Sequence, residues 1–167
     1  SPAAGEALRL GLGSMEHVSV SPVVVGRATG SDGTPNDPLL TNQYAIENLG
    51  QPIAGEPGVA GADVRVARAW EIQRGSAQVT IAVIDSGVSA THPDLITKLD
   101  DGFNVIGGPP GDTDAPFNTH GTHIAGIVAA STNNGEGVVG VSWGSRIVPI
   151  KAANPLGFTS DVWLAEG

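Results

Sequence analysis

An apolar run, Val79-Thr-Ile-Ala-Val-Ile84, ends in Asp85-Ser-Gly87, and 35 positions after the aspartate comes His120 in Asn118-Thr-His120-Gly-Thr-His123-Ile-Ala-Gly126. A carboxylate and an imidazole in this setting look like two members of a Ser-His-Asp triad, the arrangement that turns a serine hydroxyl into a nucleophile. A strand-end carboxylate can be rigid, and a histidine in the first turn of a helix can be aimed at it. Gly121, directly after the histidine, leaves space for a close backbone approach. Taken alone, Asp-Ser-Gly is ordinary turn chemistry; the histidine motif that follows gives it weight. His120 and His123 share a helical face, which is also how two metal ligands are presented. Zinc needs further ligands, and the glutamate of a His-Glu-x-x-His helix is missing. His123 is therefore read as a structural residue packed behind the site, while His17 and His92 suggest no chemistry.

The elements that must carry these residues follow from pattern. Val79–Ile84 is apolar and rich in β-branched residues, as in a parallel strand covered on both faces. An acid at the carboxyl end of such a strand occupies the usual active-site position of an open α/β sheet. His120 to Ala130 has helical spacing, Arg146–Lys151 is a further apolar strand with a proline at 149, and a last helix starts near Thr159 or Ser160 as cap. Ala62 to Ile72 reads as a helix with Val66, Ala69 and Trp70 on one face and Asp63 as its cap. Upstream, Met15–Val25 reads as a strand, and residues 26–38 are dense in turn formers, which makes them exposed and cleavable. Strand and helix alternate, so the fold class is α/β.

Composition narrows the function. With 167 residues the chain suits one ordinary domain. Eight Lys and Arg against a net charge of −9 disfavour a phosphate-backbone ligand, so nucleic acid is not expected as a partner. Cysteine is absent, which removes disulfides and thiolate metal sites. No apolar run is long enough for a membrane span.

Asp85-Ser-Gly87, His92-Pro-Asp-Leu95, His120-Gly-Thr-His-Ile-Ala-Gly126 and Gly137-Val-Val-Gly140 together resemble subtilisin-like serine proteases. Pro35-Asn-Asp-Pro38 and Thr132-Asn-Asn134 are similar to the thermitase-type branch. The resemblance runs from about Pro35 to Gly167 and implies a three-layer fold with a mostly parallel central sheet, of which this sequence carries only the front part. It implies that His120 is the general base and that Asp85 holds the ring by its other nitrogen. Gly157, Phe158 and Thr159 look like one edge of a substrate cleft, where a peptide adds as a β-strand.

The resemblance further implies a structural Ca²⁺ held by Asp37, Asp94, Ser131, Asn134, Glu136 and Val138, with Ser131, Glu136 and Val138 giving backbone carbonyls. Asp37 as a turn cap and Asn133-Asn134-Gly135 as an ordinary turn are the plainer readings. Asp100, Asp101, Asp112 and Asp114 are read as a solvated acidic loop in preference to a second site. Residues 1–26 resemble the end of an inhibitory propeptide, 27–36 a cleavable linker, and 37–167 the N-terminal part of the catalytic domain. The expected partners are polypeptide substrates, the protein's own propeptide as intramolecular inhibitor, and the C-terminal half of the domain.

Secretion is likewise an implication of the family. The family's serine, in a Gly-Thr-Ser-type turn, and its oxyanion asparagine are expected beyond Gly167, since Ser131, Ser142 and Ser145 lie in no such motif. This stretch alone is thus expected to be inactive and to expose strand edges. The alternatives are a non-catalytic binding or chaperone-like module and an unrelated α/β hydrolase or metal enzyme.

Overall fold

The structure is a computed structural model that describes residues 33–108, 113–115 and 117–167. The expected strand within 15–25 and the leader over 1–26 lie outside these residues. Three parallel strands form the sheet: β1 (Thr80–Asp85), β2 (Phe103–Asn104) and β3 (Arg146–Lys151), in the order β1-β3-β2. β1 and β3 are in register from Thr80 opposite Arg146 to Asp85 opposite Lys151. Leu99 adds a bridge to Ile147 ahead of β2.

Pro149 sits in the central strand, where a missing N–H ought to break the ladder. Ile147 N–H donates to the Lys98 carbonyl, and alternate residues of a strand address the same neighbour, so residue 149 also faces the β2 side. Gly102 passes there so closely that a Cβ on it would lie 2.3 Å from the Pro149 carbonyl oxygen. The proline therefore falls in the interval between the Leu99 bridge and β2, where no donor is needed.

The helices are α1 (Val66–Ala69), α2 (His120–Ala129) and α3 (Asp161–Glu166). α2 places Ala125 and Ala129 against Val83, Val88, Leu95 and Ile147, forming the main core. The chain end after α3 reaches Ile84 and Ile150, whose side chains project from the other face of the sheet. With α2 packed on the parallel strands, the chain has the expected α/β arrangement. Ser160 caps α3, its hydroxyl accepting from Trp163 N–H at 3.3 Å.

Two local expectations change. β1 is not covered on both faces, because Thr80, Ala82 and Ile84 are exposed and only Val83 is fully buried. The helix expected over 62–72 shrinks to a single turn. Arg65, at φ 56°, interrupts it, and Asp63 accepts the N–H groups of Asn48 and Arg65 instead of capping the helix. The apolar face of that turn is still used: Val66 and Trp70 pack with Ile46 and Val139 in a second core.

Candidate active site

Asp85 is the last residue of β1, and everything after it is fixed by backbone contacts. Its carbonyl accepts from both Ala152 (2.8 Å) and Ala153 (3.1 Å), which ties the ends of β1 and β3 together. Gly87, at φ 100°, turns the chain where a side chain would strike the Thr113 carbonyl, and Val88 N–H donates to that same oxygen. The carboxylate accepts Ser86 N–H at 2.6 Å.

His120 opens α2 with its own N–H donating to Asn118 Oδ1 at 3.0 Å, an Asx-type lead into the helix. Buried Ser86 joins the two segments, its hydroxyl donating to the Asn118 carbonyl and accepting Gly121 N–H, both at 3.3 Å. Ser89 N–H donates to Thr122 Oγ1 at 3.0 Å, a further tie between the turn and the helix.

The result is an Asp85–His120 contact, with Nδ1 at 2.8 Å from Oδ2 and 2.9 Å from Oδ1. With Nδ1–H directed at the carboxylate, the other ring nitrogen carries the lone pair, and the imidazole side chain is 66% exposed against 16% for Asp85. The pair lies beside a cleft of about 440 Å³ whose walls include Ile84, Asn118, Ala152, Gly157, Thr159 and Leu164.

Burial works to raise the Asp85 pKa, but the Ser86 N–H and the His120 ring outweigh it, and the carboxyl ends up below its ordinary value. A carboxylate with a depressed folded pKa contributes stability above its unfolded pKa of about 3.9 and loses it as pH falls through the lower folded value. The stability gap between the native chain and Asp85→Asn is therefore expected to hold at neutral pH and to close below about pH 4. Paired thermal melts across that range measure it.

Of the expected cleft edge, Gly157 and Thr159 line the cleft, whereas Phe158 is 67% exposed and turned into a small closed loop. Its N–H donates to Asn154 Oδ1 at 3.0 Å and its carbonyl accepts Asn154 N–H at 2.9 Å. Both main-chain groups of Phe158 are thus engaged within the loop. His123 is exposed and does not pack behind the site. His92 is also exposed, and its Nδ1 accepts Asp94 N–H at 3.2 Å.

Sequence reasoning missed Ser86, Asn118, Ala152 and Leu164. Asn118, two residues before the helical histidine, carries a legible capping signal. The others depend on the way β1 and β3 lie side by side.

The residues suggested for calcium do converge. Asp37 and Asp94 are 4% and 2% exposed, and neither forms an ion pair among the described residues. Both meet the loop 131–138: Asp37 accepts Asn133 N–H at 2.8 Å, and Asp94 accepts Asn134 Nδ2 at 3.1 Å and Val138 N–H at 2.9 Å. Ser131 N–H donates to the Asp94 carbonyl at 2.8 Å. Gly137, at φ 52°, leaves space that a Cβ would fill at 2.2 Å from Asp94 Oδ2.

Two buried carboxylates with no cationic partner among the described residues suit a hard cation, although the groups that meet them here are N–H donors and Asn134 Oδ1 is turned to Glu136 N–H. No group of three or more His, Cys, Asp or Glu occurs among the described residues, and the Glu136 side chain is exposed. Further ligands would be main-chain or amide oxygens. In the acidic stretch, Asp100 forms an ion pair with Arg146, while the Asp114 side chain accepts Ala115 N–H. Asp112 lies outside the described residues.

A model of the subtilase family matches residues 76–167, more than half of the chain and both members of the Asp85–His120 pair. The chain belongs to the subtilase family. A thermophilic serine proteinase of Bacillus sp. (strain AK1) is 43% identical over 96 residues, covering 56% of this subtilase chain and 23% of that protein. Thermitase of Thermoactinomyces vulgaris is 34% identical over 133 residues, covering 79% and 40%.

Among solved structures, the Aeromonas sobria serine protease in complex with the chaperone ORF2 superposes with a TM-score of 0.65 at 28% identity, over 77% of this chain and 22% of that one. The subtilisin-like fold expected from the motifs is thereby shown, with the sheet incomplete. The subtilase chain spans less than half the length of each of these proteins. No helix among the described residues is long and apolar enough to cross a membrane.

Proposed function

We propose that this chain is the front part of the catalytic domain of a serine endopeptidase that hydrolyses polypeptides through an Asp-His-Ser triad. The observation that carries the reading is the 2.8 Å contact between Asp85 and His120 beside an open cleft. His120 takes the proton of a serine hydroxyl as the oxygen attacks the peptide carbonyl, then delivers it to the departing amine. Asp85 keeps the ring in the tautomer whose outer nitrogen is basic and stabilises the imidazolium once formed.

The nucleophile is placed outside residues 1–167. Ser86 Oγ is engaged by Asn118 and Gly121, and Ser142 and Ser145 hydrogen-bond each other at 2.7 Å. On this reading residues 1–26 are the end of an inhibitory leader, 27–36 the linker cut on maturation, 37–167 enzyme, and the protein acts outside the cell. Expressing the coding sequence extended past Gly167, and assaying it on a peptide substrate beside 1–167 alone, tests the reading. Activity only in the extended protein supports it, and an extended protein with neither activity nor a serine in a Gly-Thr-Ser-type turn sinks it.

Asp37 and Asp94, with Asn134 and main-chain carbonyls of Ser131, Glu136 and Val138, are the proposed holders of a structural Ca²⁺. That ion would supply the charge the two carboxylates lack. EDTA is expected to lower the Tm of the extended protein, because a ligand at a hundredfold over its Kd stabilises by about 2.7 kcal/mol. Calorimetry with and without chelator measures this, and an unchanged Tm removes the metal.

A further inference from the structure

The loop that covers Asp37 and Asp94 contains the chain's one Asn–Gly sequence, Asn134-Gly135. In such a pair the glycine amide nitrogen can attack the asparagine side-chain carbonyl carbon, because no Cβ on the glycine obstructs it. Both reacting groups are held apart here. Gly135 N–H donates to Asn36 Oδ1 at 2.9 Å. The Asn134 carboxamide is pinned at both ends, with Oδ1 accepting Glu136 N–H at 3.0 Å and Nδ2 donating to Asp94 Oδ1 at 3.1 Å. Asn134 and Gly135 are nevertheless exposed, so the loop is held shut by hydrogen bonds, these three together with those from the Asn133 and Val138 amides to Asp37 and Asp94, and not by burial.

We propose that Asn134-Gly135 is a self-modification site at which the chain deamidates, and that docking of Asn36 on this loop gates the reaction. When the loop opens, a bond forms between Gly135 N and Asn134 Cγ. The bond from Cγ to Nδ2 breaks, the Gly135 amide proton leaves with it, and ammonia departs to give a cyclic imide. Water then opens the imide at either carbonyl and leaves aspartate or isoaspartate.

Neither product can return to the original arrangement. The amide that donated to Asp94 becomes a carboxylate facing a carboxylate that is 2% exposed, which is a repulsive pair in a poorly solvated place. Isoaspartate also lengthens the main chain between Asn133 and Gly135, so the Glu136 and Val138 amides no longer reach their acceptors together. Opening is reversible in the unmodified chain and permanent after the reaction. The loop thus records cumulative time spent open.

Peptide mapping of the intact chain aged at mildly alkaline pH in EDTA, natively and in urea, with isoaspartyl methylation as a second readout, tests the proposal. Asn134 is expected to convert fastest of all the asparagines in urea and markedly more slowly in the native chain. Asn36→Ala is expected to raise the native rate about fivefold, the effect of one lost hydrogen bond on an opening equilibrium. Asn134→Asp, the product mimic, is expected to melt below wild type in EDTA. Equal native and urea rates, an unmodified Asn134 in urea, or an Asn36→Ala rate equal to wild type each overturn it. Should Asn36→Ala fail to fold, the native-against-urea comparison on the unaltered chain still decides.

Discussion

Replacing Asp85 by asparagine in the extended, serine-bearing protein is expected to lower kcat/KM by about 10⁴-fold while leaving the fold in place. The carboxamide is isosteric, and its oxygen can keep the hydrogen bond from Ser86 N–H, now 2.6 Å long. Its NH₂ then faces His120 Nδ1, which must accept, so the proton moves to the ring nitrogen that has to be the base. The loss belongs in kcat, since Asp85 lines the cleft but its replacement keeps the same shape there. His120→Ala should cost more, about 10⁶-fold, and the double variant little beyond that, because the two act as one unit. Steady-state kinetics on a peptide amide, with thermal melts showing an intact fold, measure this. A loss under tenfold would remove Asp85 from the mechanism.

Gly121→Ala is expected to destabilise the chain by about 1–3 kcal/mol and to cut activity with it. Helix propensity alone points the other way, since alanine in a helix interior is favoured over glycine by about 1 kcal/mol. Contact geometry decides the sign. A Cβ at 121 would lie 2.3 Å from the Gly87 carbonyl oxygen and 3.0 Å from the Asp85 Cβ, both on the turn that aims the carboxylate. That turn is tied to Ala152, Ala153 and Thr113 and has nowhere to move, so α2 must lift and carry His120 away from Asp85. Gly126 in the same helix supplies the control: a Cβ there meets nothing within 4 Å, so Gly126→Ala should raise the Tm. Thermal unfolding of the two variants, with opposite shifts expected, separates packing from propensity.

The strand-end acid, the first-turn histidine and the existence of β1 and β3 as strands were legible because each leaves a local signature of apolar run, turn and helical spacing. The helix at 62–72 was overread. Its apolar face is genuine and fills the second core through Val66 and Trp70, yet Arg65 takes a left-handed conformation that spacing cannot reveal. The open face of β1 escaped for a related reason. An apolar strand reads the same whether or not the elements that cover it are present, and Ile84 is 45% exposed here. β2, with two residues, is too short to show a period, and its pairing follows from Gly102 slipping past Pro149. The main-chain commitments of Phe158 arise from Asn154 folding back over it, which no local pattern announces.

That fold-back has a consequence for how such a protein diversifies. Asn154 gathers the amides of Leu156, Gly157 and Phe158, through Oδ1 for the first and last and through its carbonyl for the middle one, while Thr159 Oγ1 fastens the far end to the Ala152 carbonyl at 2.7 Å. The rim from 154 to 159 is therefore a self-contained cassette, hung on Ala152 and Ala153, whose amides hold the acid through its own carbonyl. Sequence can drift in the cassette, or be grafted there, and reshape what enters the groove without disturbing the proton-handling machinery a few residues away.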